Sequence, residues 1–231
     1  MTPLVLLPGM MCGARLFAPQ IAAFEAERDV LVPNIGGHNT MEELASAVLA
    51  EAPEIFALAG LSMGGIVAME ILRQAPERIE RLALLDTNPL AELPEVQARR
   101  ATQIKAALNG NLEAVMREDM KPNYLVDSPD KPALLDLCMA MALDLGAEVF
   151  VRQSQALRSR IDQTDTLCGL KVPALVLCGR YDLLCPVARH KMMATIIPGA
   201  EFHIVENAGH LPTLEQPEET TAAMRRWLAR F

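Results

Sequence analysis

Hydrophobic residues in this chain gather into short unbroken runs, and the runs alternate with segments in which apolar positions recur every three or four residues. The runs Leu4–Leu7, Val30–Val32, Ile55–Ala59, Leu82–Leu85, Ala174–Cys178 and Phe202–Val205 end in turn-forming residues and predict strands buried on both faces. Between them the spacing predicts amphipathic helices over Met41 to Glu51 and Met63 to Gln74, and later over Val187 to Ile197 and Pro217 to Arg230. This alternation predicts an α/β fold, with a mostly parallel sheet covered by helices on both faces.

The alternation lapses after Leu82–Leu85, and about eighty residues pass before a strand-like run returns. Helical patterns fill the interval, over Pro94 to Leu108, Leu112 to Lys121, Pro132 to Leu145 and Ala147 to Arg158. They are separated by Asn109-Gly110-Asn111, Pro122-Asn123 and Gly146. The expected division is a core of residues 1–89 and 170–231 with a helical cap subdomain at 90–169. An insertion that returns to the same sheet lies over the carboxyl ends of the strands, where open α/β sheets bind ligands.

Composition narrows the partners. With 231 residues, 51% of them hydrophobic and 22% charged, the chain makes one packed domain with an insertion. A net charge of −8 argues against nucleic acid, whose phosphates need clustered Lys and Arg. Arg99 and Arg100, and later Arg152, Arg158 and Arg160, read first as solvated helix faces and second as partners for a substrate carboxylate. Five dispersed cysteines without a CxxC spacing suit reduced thiols rather than disulfides or a zinc site. No basic leader or membrane-length apolar run is visible, so the expectation is a cytoplasmic protein with no metal, no cofactor and no membrane partner. Nothing in the sequence speaks to oligomeric state.

The chemistry concentrates at loops that follow predicted strands. Gly60-Leu61-Ser62-Met63-Gly64 fits G-x-S-x-G between the run Ile55–Ala59 and a helical pattern, the setting of a nucleophile elbow. A serine needs a base and an orienting acid to act as a nucleophile. His210, in Asn207-Ala208-Gly209-His210, lies in the loop after the last strand, and Asp182, in Gly179-Arg180-Tyr181-Asp182, lies in the loop after the strand before it. Asp86, directly after Leu82–Leu85, is a rival for the acid. Of the other histidines, His203 reads as a sheet-face residue, His190 as a surface helix residue, and His38 as part of a loop at the active end. An oxyanion hole needs the amide after the nucleophile, Met63, and one from the loop after the first strand, where Met10 is the first choice and Met11 the second. Met10, Met11, Met63, Met116, Met120, Met139 and Met141 read as core filling or as an apolar pocket between cap and core.

Gly60 to Gly65, Gly179 to Asp182 with Pro186 following, and Asn207 to His210 together resemble the α/β-hydrolase superfamily over essentially the whole chain. The Gly-Leu-Ser-Met-Gly-Gly wording is similar to its enol-lactonase and small-esterase groups. The resemblance implies Ser62 as nucleophile, Asp182 as acid and His210 as base under a helical cap. It also implies a shortened sheet of about six parallel strands. Where many relatives carry His-Gly in the oxyanion loop this chain has Pro8-Gly9, so no role of that histidine carries over. The expected reaction is cofactor-free hydrolysis of a small or medium ester or lactone. A thioesterase, a carbon–carbon bond hydrolase or a cofactor-free lyase would use the same residues, the lyase with Arg152 or Arg158 turned to substrate carboxylates. A hydrolase-fold receptor or a perhydrolase is a further alternative.

Overall fold

In the computed structural model, which describes residues 1–120 and 123–230, every run of continuous apolar sequence forms a parallel strand. The strands are β1 (Leu4–Leu7), β2 (Val30–Leu31), β3 (Phe56–Leu61), β4 (Ile79–Leu85), β5 (Ala174–Gly179) and β6 (Glu201–Val205). They form one sheet in the order β2-β1-β3-β4-β5-β6. All five pairings are parallel, with Leu7 opposite Gly60, Leu61 opposite Leu85 and Leu85 opposite Leu177. The carboxyl ends therefore share one edge, and the loops that leave it carry the candidate chemistry.

Side-chain alternation divides the core in two. Val5 and Leu7, Phe56 and Leu58, Leu82 and Leu84, and Ala174 and Val176 face one layer, while their neighbours Leu4, Leu6, Ala57, Ala83, Leu85, Leu175 and Leu177 face the other. The first layer is covered by α2 (Met41–Glu51) and α3 (Met63–Gln74), the second by α1 (Ala18–Phe24), where Phe24 packs with Trp227 of the C-terminal helix. Helix α2 starts at a capping box, Thr40 Oγ1 accepting the Glu43 amide while donating to the Glu43 carboxylate. Helix α3 is buried from Met63 to Leu72, as a helix at the centre of a covered sheet must be.

Among the described residues no strand lies between β4 and β5. The interval holds α4 (Pro94–Ala106), a π-helical turn (Ala107–Asn111), the short α5 (Leu112–Ala114), a second π-helical stretch (Val115–Met120) and α6 (Lys131–Arg158). The expected helix Leu112 to Lys121 is thus mostly π-helical. Lys121, Pro122 and the Met120 side chain lie outside the described residues. Gly146, with φ 80° and ψ 174°, breaks α6 at the expected place into segments 131–145 and 147–158. The second segment buries Phe150, Gln153, Ala156 and Leu157, and joins the first core layer. After it come α7 (Thr164–Cys168), α8 (Val187–Ile196), α9 (Pro212–Glu215) and α10 (Pro217–Ala229).

Candidate active site

Strand β3 runs directly into Ser62, whose φ of 55° and ψ of −117° lie where residues with a side chain are rare. Two glycines make the turn possible. A Cβ on Gly60 would fall 2.3 Å from the Gly64 carbonyl oxygen, and one on Gly64 would fall 2.0 Å from the Leu7 carbonyl oxygen. The Ser62 amide donates to Leu85 O at 2.9 Å, and the Thr87 hydroxyl donates to Ser62 O at 2.7 Å, so the exit of β4 pins the strained turn.

Three side chains predicted at separate strand ends meet here. His210 Nε2 lies 2.9 Å from Ser62 Oγ, and His210 Nδ1 lies 2.9 Å from Asp182 Oδ2. Both His210 and Asp182 are buried. The other Asp182 oxygen accepts the amides of Leu184 and Cys185 at 2.8 and 2.9 Å. Burial alone would raise the Asp182 carboxyl, but His210 and those amides outweigh it and hold the group below the usual carboxylate range.

The loop carrying His210 is tied to the inserted segment. The His210 amide donates to Tyr124 O at 2.6 Å, and the Tyr124 ring stands 5.9 Å from the imidazole. The Glu215 carboxylate accepts the amides of Gly209, Leu211 and Val126. Burial nevertheless leaves Glu215 above its ordinary value. Glu215 sits five positions after His210, a spacing visible in the sequence, whereas Tyr124 carried no signal there.

Asp86, the rival acid, is wholly buried and does not touch His210. It has a φ of 43°, and its Oδ1 accepts the Gly179 amide at 2.9 Å. Its carboxyl lies within hydrogen-bonding reach of Asp182, while its Oδ2 finds no N–H or O–H donor. Burial first, and then the Asp182 carboxylate, push Asp86 well above the carboxylate range.

On the other side of Ser62, the amides of Met10 and Met63 donate to no protein group among the described residues. The Met11 amide, the second choice, is occupied by Gln153 Oε1 at 2.9 Å, while Gln153 Nε2 donates to Ile35 O at 3.1 Å. Met11 has a φ of 56°, so Gln153, reaching from α6, holds a strained loop beside the nucleophile. Nothing in the sequence could reveal this bond, because its partners lie 142 positions apart.

Elsewhere the structure corrects one expectation and relocates another. His190 is not a surface residue: it is fully buried and its Nε2 accepts the Thr87 amide at 3.0 Å, with desolvation lowering it to about 4. The helix periodicity could not show that α8 packs its first turns under the β4 exit. His203 pairs with Glu219 at the sheet margin, and His38 is exposed. Arg152 bonds Gly36 O, Arg158 is exposed, and neither lines the cavity over Ser62, whereas Arg160 does. Of the listed methionines, Met10 and Met63 line that cavity, and Met11, Met116 and Met141 are core.

The cavity holds about 480 Å3 and has Gly9, Met10, Ser62, Met63 and His210 at its base. Ligand atoms of Asp182, Cys185 and His210 lie within 4.8 Å of one another, a spacing a metal could use. Asp182 and His210 are, however, bonded to each other, and burial with two nearby carboxylates pushes the Cys185 thiol up, so the trio is an acid–base pair beside a neutral thiol. What the arrangement can do is take a proton from Ser62 onto His210 while Asp182 orients the imidazole.

The chain is similar to known proteins along most of its length. The model of the alpha/beta hydrolase family matches residues 4–223. A pimeloyl-[acyl-carrier protein] methyl ester esterase of Aromatoleum aromaticum is 26% identical, covering 94% of each chain. A thermophilic esterase of Thermogutta terrifontis, solved with malate bound, superposes with a TM-score of 0.93 at 30% identity over 99% of this chain and 89% of that one. The enol-lactonase of Burkholderia xenovorans LB400 superposes with a TM-score of 0.89 at 25% identity, covering 100% and 92%.

Proposed function

The chain belongs to the alpha/beta hydrolase family, and on that premise we propose that it hydrolyses a small or medium carboxylic ester or lactone through an acyl-enzyme formed on Ser62. The observation that carries the reading is the unbroken relay from Ser62 Oγ through His210 to Asp182 in a cavity that Met10 and Met63, whose amides donate to no protein group among the described residues, also line. Ester cleavage by proteins similar along their whole length supports the substrate class.

The steps follow from the contacts. His210 Nε2 takes the Ser62 proton as Oγ adds to the carbonyl carbon, and Asp182 keeps the imidazole in the tautomer with the proton on Nδ1. The carbonyl oxygen becomes an oxyanion held by the Met10 and Met63 amides. The tetrahedral species collapses as His210 returns the proton to the leaving alkoxide. Water, deprotonated by His210, then attacks the acyl-serine and releases the acid. Residues 90–169 act as the cap that closes the cavity, since Asn123, Tyr124 and Arg160 line it. The five free thiols fit a reducing, cytoplasmic setting.

The test pairs fluorophosphonate labelling with a panel of esters, thioesters and lactones, run on wild type and on Ser62→Ala. Labelling at Ser62 is expected in the wild type only, with the responsive substrate turned over roughly 10⁶-fold more slowly by the variant. An unlabelled Ser62 in folded wild-type protein overturns the proposal.

A further inference from the structure

The walls above Ser62 carry a charge that the rest of the molecule does not. The chain as a whole is acidic, at −8, yet the described residues lining the cavity include four guanidinium groups, Arg99, Arg100, Arg160 and Arg189, against two carboxylates, Glu92 and Asp119. The local balance is therefore positive by two charges.

How these groups are paired matters more than their number. Arg100 and Arg160 share the single carboxylate of Glu92, Arg100 Nε at 2.5 Å from Oε2 and Arg160 Nη1 at 2.5 Å from Oε1. All three side chains are largely buried, at 15%, 9% and 2% exposure, so one positive charge on this wall has neither a carboxylate nor full access to water. Arg100 Nη1 rests 3.6 Å from the sulfur of Met10, and both residues line the same cavity as Ser62. Arg189 bonds only a neutral partner, Asn88 Oδ1, at 2.5 Å, and Arg99 has no ion pair among the described residues. Arg99 is exposed and Arg189 half-buried, and a cavity lined by unbalanced guanidiniums concentrates anions and rejects cations.

We propose that the substrate of this site is an anionic ester, one that presents a carboxylate to the Arg99, Arg100, Arg160 and Arg189 wall while its ester carbonyl sits at Ser62. The inference rests on the serine-esterase reading above. Guanidinium groups suit a carboxylate because their paired N–H donors match its two oxygens. One charge-assisted hydrogen bond of this kind is worth roughly ten- to a hundredfold in binding.

The experiment measures kcat/KM for monomethyl esters of linear dicarboxylic acids of increasing length against the neutral dimethyl esters of the same acids. A parallel arm uses acetyl esters of hydroxy acids and their amides, which move the charge to the leaving-group side. Expected is a preference of about tenfold or more for the anion at some chain length in one arm, shrinking as salt is raised. The same preference should fall severalfold in Arg189→Gln and in Arg99→Gln. Calorimetric titration with the free dicarboxylates gives a second readout that needs no turnover, with binding in wild type weakened in both variants. Turnover of neutral esters with no charge preference in either arm overturns this proposal and leaves the serine-esterase reading intact. Dicarboxylate binding without labelling at Ser62 overturns that reading and leaves the anion site standing. Absence of binding with no preference overturns the anion site, and a preference that neither substitution moves overturns the role of the guanidinium wall.

Discussion

Asp86 and Asp182 leave neighbouring strands and bring two carboxyl groups together behind His210, where burial does not let both be ionised. Asp182 is held below the carboxylate range because it faces the imidazole and accepts two amides, and Asp86 is pushed above it by burial and by Asp182. Asparagine at 86 keeps an oxygen for the Gly179 amide and removes a second carboxyl group from beside Asp182. Asp86→Asn should therefore keep kcat/KM within about fivefold of wild type, while Asp182→Asn should lower kcat by roughly 10⁴-fold; the opposite pattern in steady-state kinetics would transfer the acid's role to Asp86. Stability gives an independent check. Because Asp86 is raised on folding, the native state binds more protons than the unfolded chain above the ordinary carboxylate range, and stability falls as pH rises through that window. Melting temperatures from pH 5 to pH 9 should show Asp86→Asn gaining on wild type toward the alkaline end. In the sequence both aspartates follow strand-like runs, Asp86 directly and Asp182 four residues on; its motif context favours Asp182, and it is Asp182 that the His210 ring meets.

At the scale of elements, the helices whose apolar spacing is regular lie where the pattern put them, α2 and α3 to the residue. The inserted segment follows its pattern less closely. Two π-helical stretches lie between α4 and α6, and the second brings Asp119 to the cavity wall, a form that apolar spacing does not encode. The break in α6 was legible because it falls on glycine. Gly146 adopts φ 80° and ψ 174°, and a Cβ there would meet nothing within 4 Å, so an added side chain costs backbone strain alone. Gly146→Ala should destabilise the protein by about 1–3 kcal/mol in denaturant unfolding, whereas Gly37→Ala, equally open but without a positive φ, should be close to neutral.

At the scale of the whole molecule, the insertion is fastened at both ends by one buried carboxylate. Glu92, just after β4, holds Arg100 at the start of the insertion and Arg160 at its end. Glu92→Gln leaves two buried guanidiniums without a counter-charge and should lower stability by roughly 3 kcal/mol or more, seen as a lowered melting temperature. Sequence by itself determined the layered sheet, because continuous apolar runs and helical periods are local and each run can be buried in few ways. It also determined which strand ends carry serine, histidine and aspartate, because in a parallel sheet every such end faces the same edge. Tertiary structure alone decided that Gln153 occupies the Met11 amide, that His190 is buried, and that Arg100 and Arg160, read from sequence as solvated, line a cavity. Each of these depends on contacts between residues far apart in the chain, and no local pattern of hydrophobic and polar positions records where such partners meet.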